Sequence, residues 1–134
     1  MRYFYSINKL LIATILGLLS CVAFADGAKV TPLMHQELDG LSNKDGMMLV
    51  VEYGPGTSSH KHRHDAYSFV YVLEGIVVMQ VAGREPVTLE AGETFYESPH
   101  DVHLISKNAS NTETAKFVVF SVKEKDSPLV IPVR

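Results

Sequence analysis

The feature that most constrains this chain is the shape of its apolar runs. Beyond residue 26 they are short, mostly of period two, and separated by turn residues. Such alternation puts successive side chains on opposite faces of a strand, whereas an amphipathic helix needs apolar residues three and four apart. No convincing long amphipathic helix is readable. Val30–Leu38 reads as a first strand and Met47–Tyr53 as a clearer one, stopped by Gly54-Pro55-Gly56. Phe69–Leu73 and Ile76–Ala82 are rich in Val, Ile, Tyr and Phe, and Glu74-Gly75 between them carries a two-residue hairpin signal. Gly83-Arg84-Glu85-Pro86 and Glu90-Ala91-Gly92 are further turns, flanking Val87–Leu89 and preceding Thr94–Glu97. Val102–Ser106 is another strand, Asn108–Thr114 a polar loop, Lys116–Val122 a last long strand, and Pro128 and Pro132 mark an extended tail. About eight short strands at this spacing predict an all-β fold, a jelly roll or closed barrel that leaves few exposed sheet edges.

The first 25 residues have a different character. Arg2 and Lys9 give a positive start, Leu10–Leu19 is an apolar core, and Ala23-Phe24-Ala25 is a small-x-small cleavage pattern before Asp26. The reading is a cleavable signal peptide over 1–25 and a single domain over 26–134, periplasmic or secreted. Two alternatives stay open. One is an uncleaved N-terminal anchor. The other is lipid attachment at Cys21, since Leu18-Leu19-Ser20-Cys21 loosely resembles a lipobox. Cleavage after Ala25 would remove Arg2, Lys9 and the single cysteine, taking the formal charge from −3 to −5. The mature chain would then have no thiol chemistry or disulfide. With no basic patch and no glycine-rich phosphate loop, nucleic-acid and nucleotide binding are not expected. No membrane contact is expected after signal cleavage either.

Five of the six histidines fall in two groups. His60, His62 and His64 alternate, so in an extended segment all three face one way, and His100 and His103 sit on the turn into a later strand. A pair on one strand plus a residue from a second is how a barrel builds a metal site. Imidazole suits Zn, Fe, Cu, Ni and Mn. The plain alternative is a surface His-rich tract with no fixed geometry. His35 stands apart and reads as a surface residue.

The framing of these histidines resembles the cupin superfamily, in particular its small single-domain members. The first cupin motif has a glycine, five residues, His-x-His, then a glutamate and a closing glycine. Here Gly56 is followed by five residues, His62-Arg63-His64, and Gly75. A register on Gly54, His60 and His62 competes. The spacing to Gly75 favours His62 and His64, because His64 lies eleven positions before it and His62 thirteen. In the second motif Gly92 opens and His103 takes the histidine place, but Ser98, His100 and Lys107 stand where proline, glycine and asparagine are usual. Tyr71–Gly75 and Ala91–Glu97 are also cupin-like.

The resemblance implies a cupin-like jelly-roll β-barrel and a divalent transition metal (Zn, Fe, Mn, Ni or Cu) held by His62, His64 and His103. The usual glutamate is missing, and Ser68 (or Phe69) stands in its place. His100, three residues before His103, is the expected fourth ligand, ahead of His60. Glu97 is a weaker candidate, expected at the rim. The implied partner is a small organic ligand or substrate, with oxygenase- or isomerase-like chemistry in scope, and a homodimer is compatible. A non-catalytic metal- or ligand-binding module is the alternative. No catalytic residue is assigned, and whether the protein is an enzyme stays open.

Overall fold

A computed structural model describes residues 23–25 and 27–134. The expected signal segment lies outside these residues except for Ala23–Ala25, which form an edge strand, β1. The described residues contain strands and turns and no helix, hence none able to cross a membrane. The strands are β2 (Ala28–Glu37), β3 (Lys44–Tyr53), β4 (His62–Arg63), β5 (Ala66–Glu74), β6 (Ile76–Val81) and β7 (Val87–Glu90). They continue with β8 (Thr94–Glu97), β9 (Val102–Asn108), β10 (Ala115–Glu124) and β11 (Ile131–Pro132). A six-stranded sheet in the order β1-β2-β3-β10-β5-β8 faces a five-stranded sheet in the order β11-β4-β9-β6-β7. Every pairing is antiparallel.

Alternation builds the core. Along β5, Ala66, Ser68, Val70 and Val72 are buried while Tyr67, Phe69, Tyr71 and Leu73 are exposed. Val77 and Met79 of β6 and Leu89 of β7 meet Val70, Val72, Leu49, Val51 and Phe117 of the larger sheet in one cluster. Burial of this apolar surface is the main term holding the two sheets together, at roughly 25 cal/mol per Å².

The expected hairpin at Glu74-Gly75 is a corner instead. β5 and β6 belong to different sheets and do not pair. Gly75 sits at φ +74°, and a Cβ there would lie 2.6 Å from the Thr114 carbonyl oxygen. Glycine is required both by the left-handed backbone and by the close passage of the next strand. It lets the chain bend out of one sheet and enter the other. The true hairpin is β6–β7, with Met79 opposite Val87 around the Gly83 turn.

Candidate metal centre

Two cross-strand pairs bring the site together. β4 and β9 place His62 opposite His103, and β5 and β8 place Ser68 opposite Glu97. His64 follows immediately after β4. His62, His64, Ser68, Glu97 and His103 all line one cavity of about 80 Å³ between the sheets. Ligand atoms of His64, Glu97 and His103 lie within 4.8 Å of one another. The His62 ring lies beside this group, stacked on His103 with centroids 5.0 Å apart and 4.8 Å from that of His64.

Each imidazole is oriented by the backbone. His62 Nδ1 donates to the His60 carbonyl at 2.7 Å, His64 Nδ1 to Leu129 O, and His103 Nδ1 to Ile105 O at 3.3 Å. A carbonyl oxygen only accepts, so Nδ1 carries a proton in all three rings. In the neutral ring Nε2 then holds the lone pair. Anchoring of one ring nitrogen so that the other is free is the usual support of a histidine metal ligand.

Glu97 is 4% exposed, and its Oε2 lies 2.7 Å from His103 Nε2 and 3.9 Å from His64 Nε2. Two atoms at 2.7 Å with opposed lone pairs need a proton between them. Burial pushes the His103 pKa down, but the hydrogen bond and charge of Glu97 outweigh it, and the net shift is upward. His62 is driven the other way, chiefly by burial. Two imidazoles and one carboxylate, His64, His103 and Glu97, thus come together with the His62 ring beside them, and nitrogen and oxygen donors of this kind fit a borderline divalent cation.

The structure places His100 elsewhere. Ser98–Asp101 is a tight turn closed by the Asp101 N–H on the Ser98 carbonyl, with Pro99 and His100 at its centre. That geometry turns His100 outward, where it is exposed and lines a different depression with Arg63, Asp65 and Tyr67. His60 is likewise exposed and contributes its carbonyl rather than its ring. Glu97, expected at the rim, is inside. The clue was strand parity, since Phe95 and Glu97 share a face of β8 while Thr94 and Tyr96 are exposed. The carboxylate missing at Ser68 enters from the residue directly across the ladder.

The rest of the cavity has an apolar wall that includes Val51, Met79 and Phe117, and two hydroxyl groupings. Tyr53 OH contacts Ser59 Oγ at 2.6 Å and Ser106 Oγ at 2.9 Å, and Ser68 Oγ contacts Ser121 Oγ at 3.1 Å. Burial raises the Tyr53 pKa, against the lowering effect of its serine partners. The tail closes one side through Leu129 and Val130.

Comparison with known proteins agrees with this architecture. No curated protein sequence matches the chain. An RmlC-like cupin from Shewanella frigidimarina NCIMB 400 is 20% identical, covering 78% of this chain and 83% of that one, with a TM-score of 0.59. A predicted oxalate decarboxylase from Thermotoga maritima is 20% identical over 72% and 80% of the two chains, with a TM-score of 0.58. KdgF from Halomonas sp. is 18% identical over 75% and 82%, with a TM-score of 0.59. At these identities the likeness is one of fold. The model of the Cupin domain matches residues 49–121, from the middle of β3 to Ser121 in β10, taking in every histidine and carboxylate of the cluster. This chain belongs to the cupin family.

Proposed function

We propose that the chain is an exported cupin that holds one divalent transition metal at His62, His64, His103 and Glu97 and binds or transforms a small organic molecule beside it. One observation carries this reading: three imidazoles, each fixed through Nδ1, gather around a single buried carboxylate. When bound, the metal would supply Lewis acidity toward an oxygen of the ligand. The side chains do the rest. The Nε2 atoms donate lone pairs, Glu97 offsets positive charge, and the apolar wall keeps bulk water out. Export is supported by Arg2, Lys9, the Leu10–Leu19 run and Ala23-Phe24-Ala25.

A second reading, a binding module without turnover, is favoured by one feature. Glu97 is the sole carboxylate among the described residues lining the cavity, and it is already engaged with His103. No separate acid or base of that type remains beside the cluster.

The test is metal content after purification without chelator. Wild-type protein should carry about one transition metal ion per chain. The double variant His62→Ala, His103→Ala should carry almost none while keeping its strand spectrum by circular dichroism. Equal metal in the two would sink the proposal. Turnover of small oxygenated compounds by the loaded protein then separates the enzyme from the binding module.

A further inference from the structure

The cavity holds more polar chemistry than a metal cluster needs. Tyr53, Ser59 and Ser106 bring three hydroxyl protons to two mutual contacts, so one O–H is left to donate elsewhere. Ser68 and Ser121 bring two protons to one contact, leaving another. Tyr53, Ser68 and Ser121 are each about 2% exposed, and all five residues line the cavity. Each of these hydroxyls already has one partner, and the two remaining O–H donors of this largely apolar cavity can serve an acceptor placed in it.

Size and charge narrow the occupant. At about 80 Å³ the space is roughly half that of a cavity that admits benzene, taken as about 150 Å³, and holds two or three waters' worth of volume. No Lys or Arg among the described residues lines it, so none of them offsets a second anionic group. The side of the cavity given by Leu129 and Val130 comes from the tail, which is tied down by β11 on β4 and by the Val133 N–H on the Lys61 carbonyl.

Resting on the metal reading above, we infer that the site takes an aliphatic oxygen compound of two or three carbons. One oxygen lies toward the His–Glu cluster, and a neutral hydroxyl or carbonyl lies against the Tyr53-Ser59-Ser106 and Ser68-Ser121 hydroxyls. Leu129 and Val130 set the size limit. The hydroxyl groups hold the inner end by direct hydrogen bonds, and a ring has no room.

Two matched probes test this, glycolate and its phenyl derivative mandelate, titrated calorimetrically into zinc-loaded protein. Glycolate should bind and mandelate should not. Leu129→Ala with Val130→Ala should admit mandelate. Tyr53→Phe and Ser106→Ala should each weaken glycolate roughly fivefold, the usual worth of one hydrogen bond, with zinc content unchanged. Mandelate binding to the wild-type protein as well as glycolate does, or unaltered glycolate affinity in both hydroxyl variants, would overturn the inference. If zinc does not load, the metal reading fails. The cavity assignment is then decided on metal-free protein by ligand-observed NMR with 1,2-ethanediol. Binding that Tyr53→Phe weakens supports it; no binding, or binding indifferent to that change, rejects it.

Discussion

At the scale of single residues, Glu97 decides the chemistry of the cluster. Its contact with His103 raises that histidine's pKa, whereas burial lowers that of His62. The two shifts act oppositely on the metal-free protein. His103 takes its proton more tightly folded than unfolded, so its contribution is complete below the unfolded value near 6.5 and is lost as pH rises through the folded one. His62 binds its proton less tightly when folded. Its contribution is present above about 6.5 and is lost as pH falls through the folded value. Thermal stability of chelator-treated protein should therefore peak near pH 6.5 and decline on both sides. Glu97→Gln removes the largest upward contributions and leaves burial opposed only by the Ile105 carbonyl and Asp101. The decline above the peak should vanish, and metal affinity should drop at least tenfold, as losing an anionic partner of a metal site does. Melting temperatures of both proteins from pH 5 to 8 check this, and an alkaline decline that persists in Glu97→Gln would contradict the assignment.

At the scale of elements, β11 links the tail to the site. It pairs Ile131 with Arg63 and Pro132 with His62, and just before it Leu129 O holds His64 Nδ1. Deleting residues 127–134 removes the anchor of one proposed ligand and the support of the short strand that carries another. Metal affinity should fall roughly ten- to a hundredfold, the range seen when such orienting partners are lost, while the β6–β7 hairpin is untouched and the core loses only Leu129 from its edge. Competitive titration against a chromophoric chelator measures it, and affinity equal to that of the full chain would show the strap to be passive. Prolines 128 and 132 announced an extended tail, but nothing in them said where it would dock. The strands themselves were legible because period two follows directly from one buried face, as on β5. What stayed hidden depended on neighbours distant in sequence. Glu74-Gly75 carries the same local signal for a hairpin and for a corner, and only the passage of Thr114 beside Gly75 distinguishes them. Likewise the alternation through Phe95 and Glu97 was readable, but not that β8 lies beside β5 and sets Glu97 against Ser68. His62 with His64, and His103, could each be singled out from a short motif in its own segment; that Glu97 lies beside them could not, because it depends on which strand neighbours β8.

At the scale of the whole molecule, the six-stranded sheet has a second face that the described residues leave uncovered. The register aligns Tyr96, Phe69, Phe120, Met48 and Met34 in one row across β8, β5, β10, β3 and β2. Phe69 is 51% exposed, Tyr96 41%, Phe120 40% and Met34 58%, and the Phe69 ring lies 5.3 Å from Tyr96 and 6.2 Å from Phe120. Five strands at about 4.8 Å spacing make this row roughly 19 Å long. Tyr67 and Tyr71 flank it on β5, also exposed. With large side chains burying about 150–250 Å² each when fully covered, half-covering these residues again yields several hundred Å² per copy. That exceeds the scattered apolar exposure of an ordinary monomer and approaches the roughly 800 Å² per partner of a standard interface. The same face on a second copy is the natural cover, since two twisted antiparallel sheets pack face to face at about 30°. The expected state is a twofold dimer through this face. Phe69→Lys with Phe120→Lys puts four like charges at its centre and should give a monomer in sedimentation velocity. Metal content should be unchanged, because Phe69 and Phe120 point away from the cavity that Ser68 and Ser121 line. A wild-type protein that stays monomeric up to about 100 µM, well above a micromolar dissociation constant, would rule the dimer out. A double variant that still pairs would move the interface to another surface.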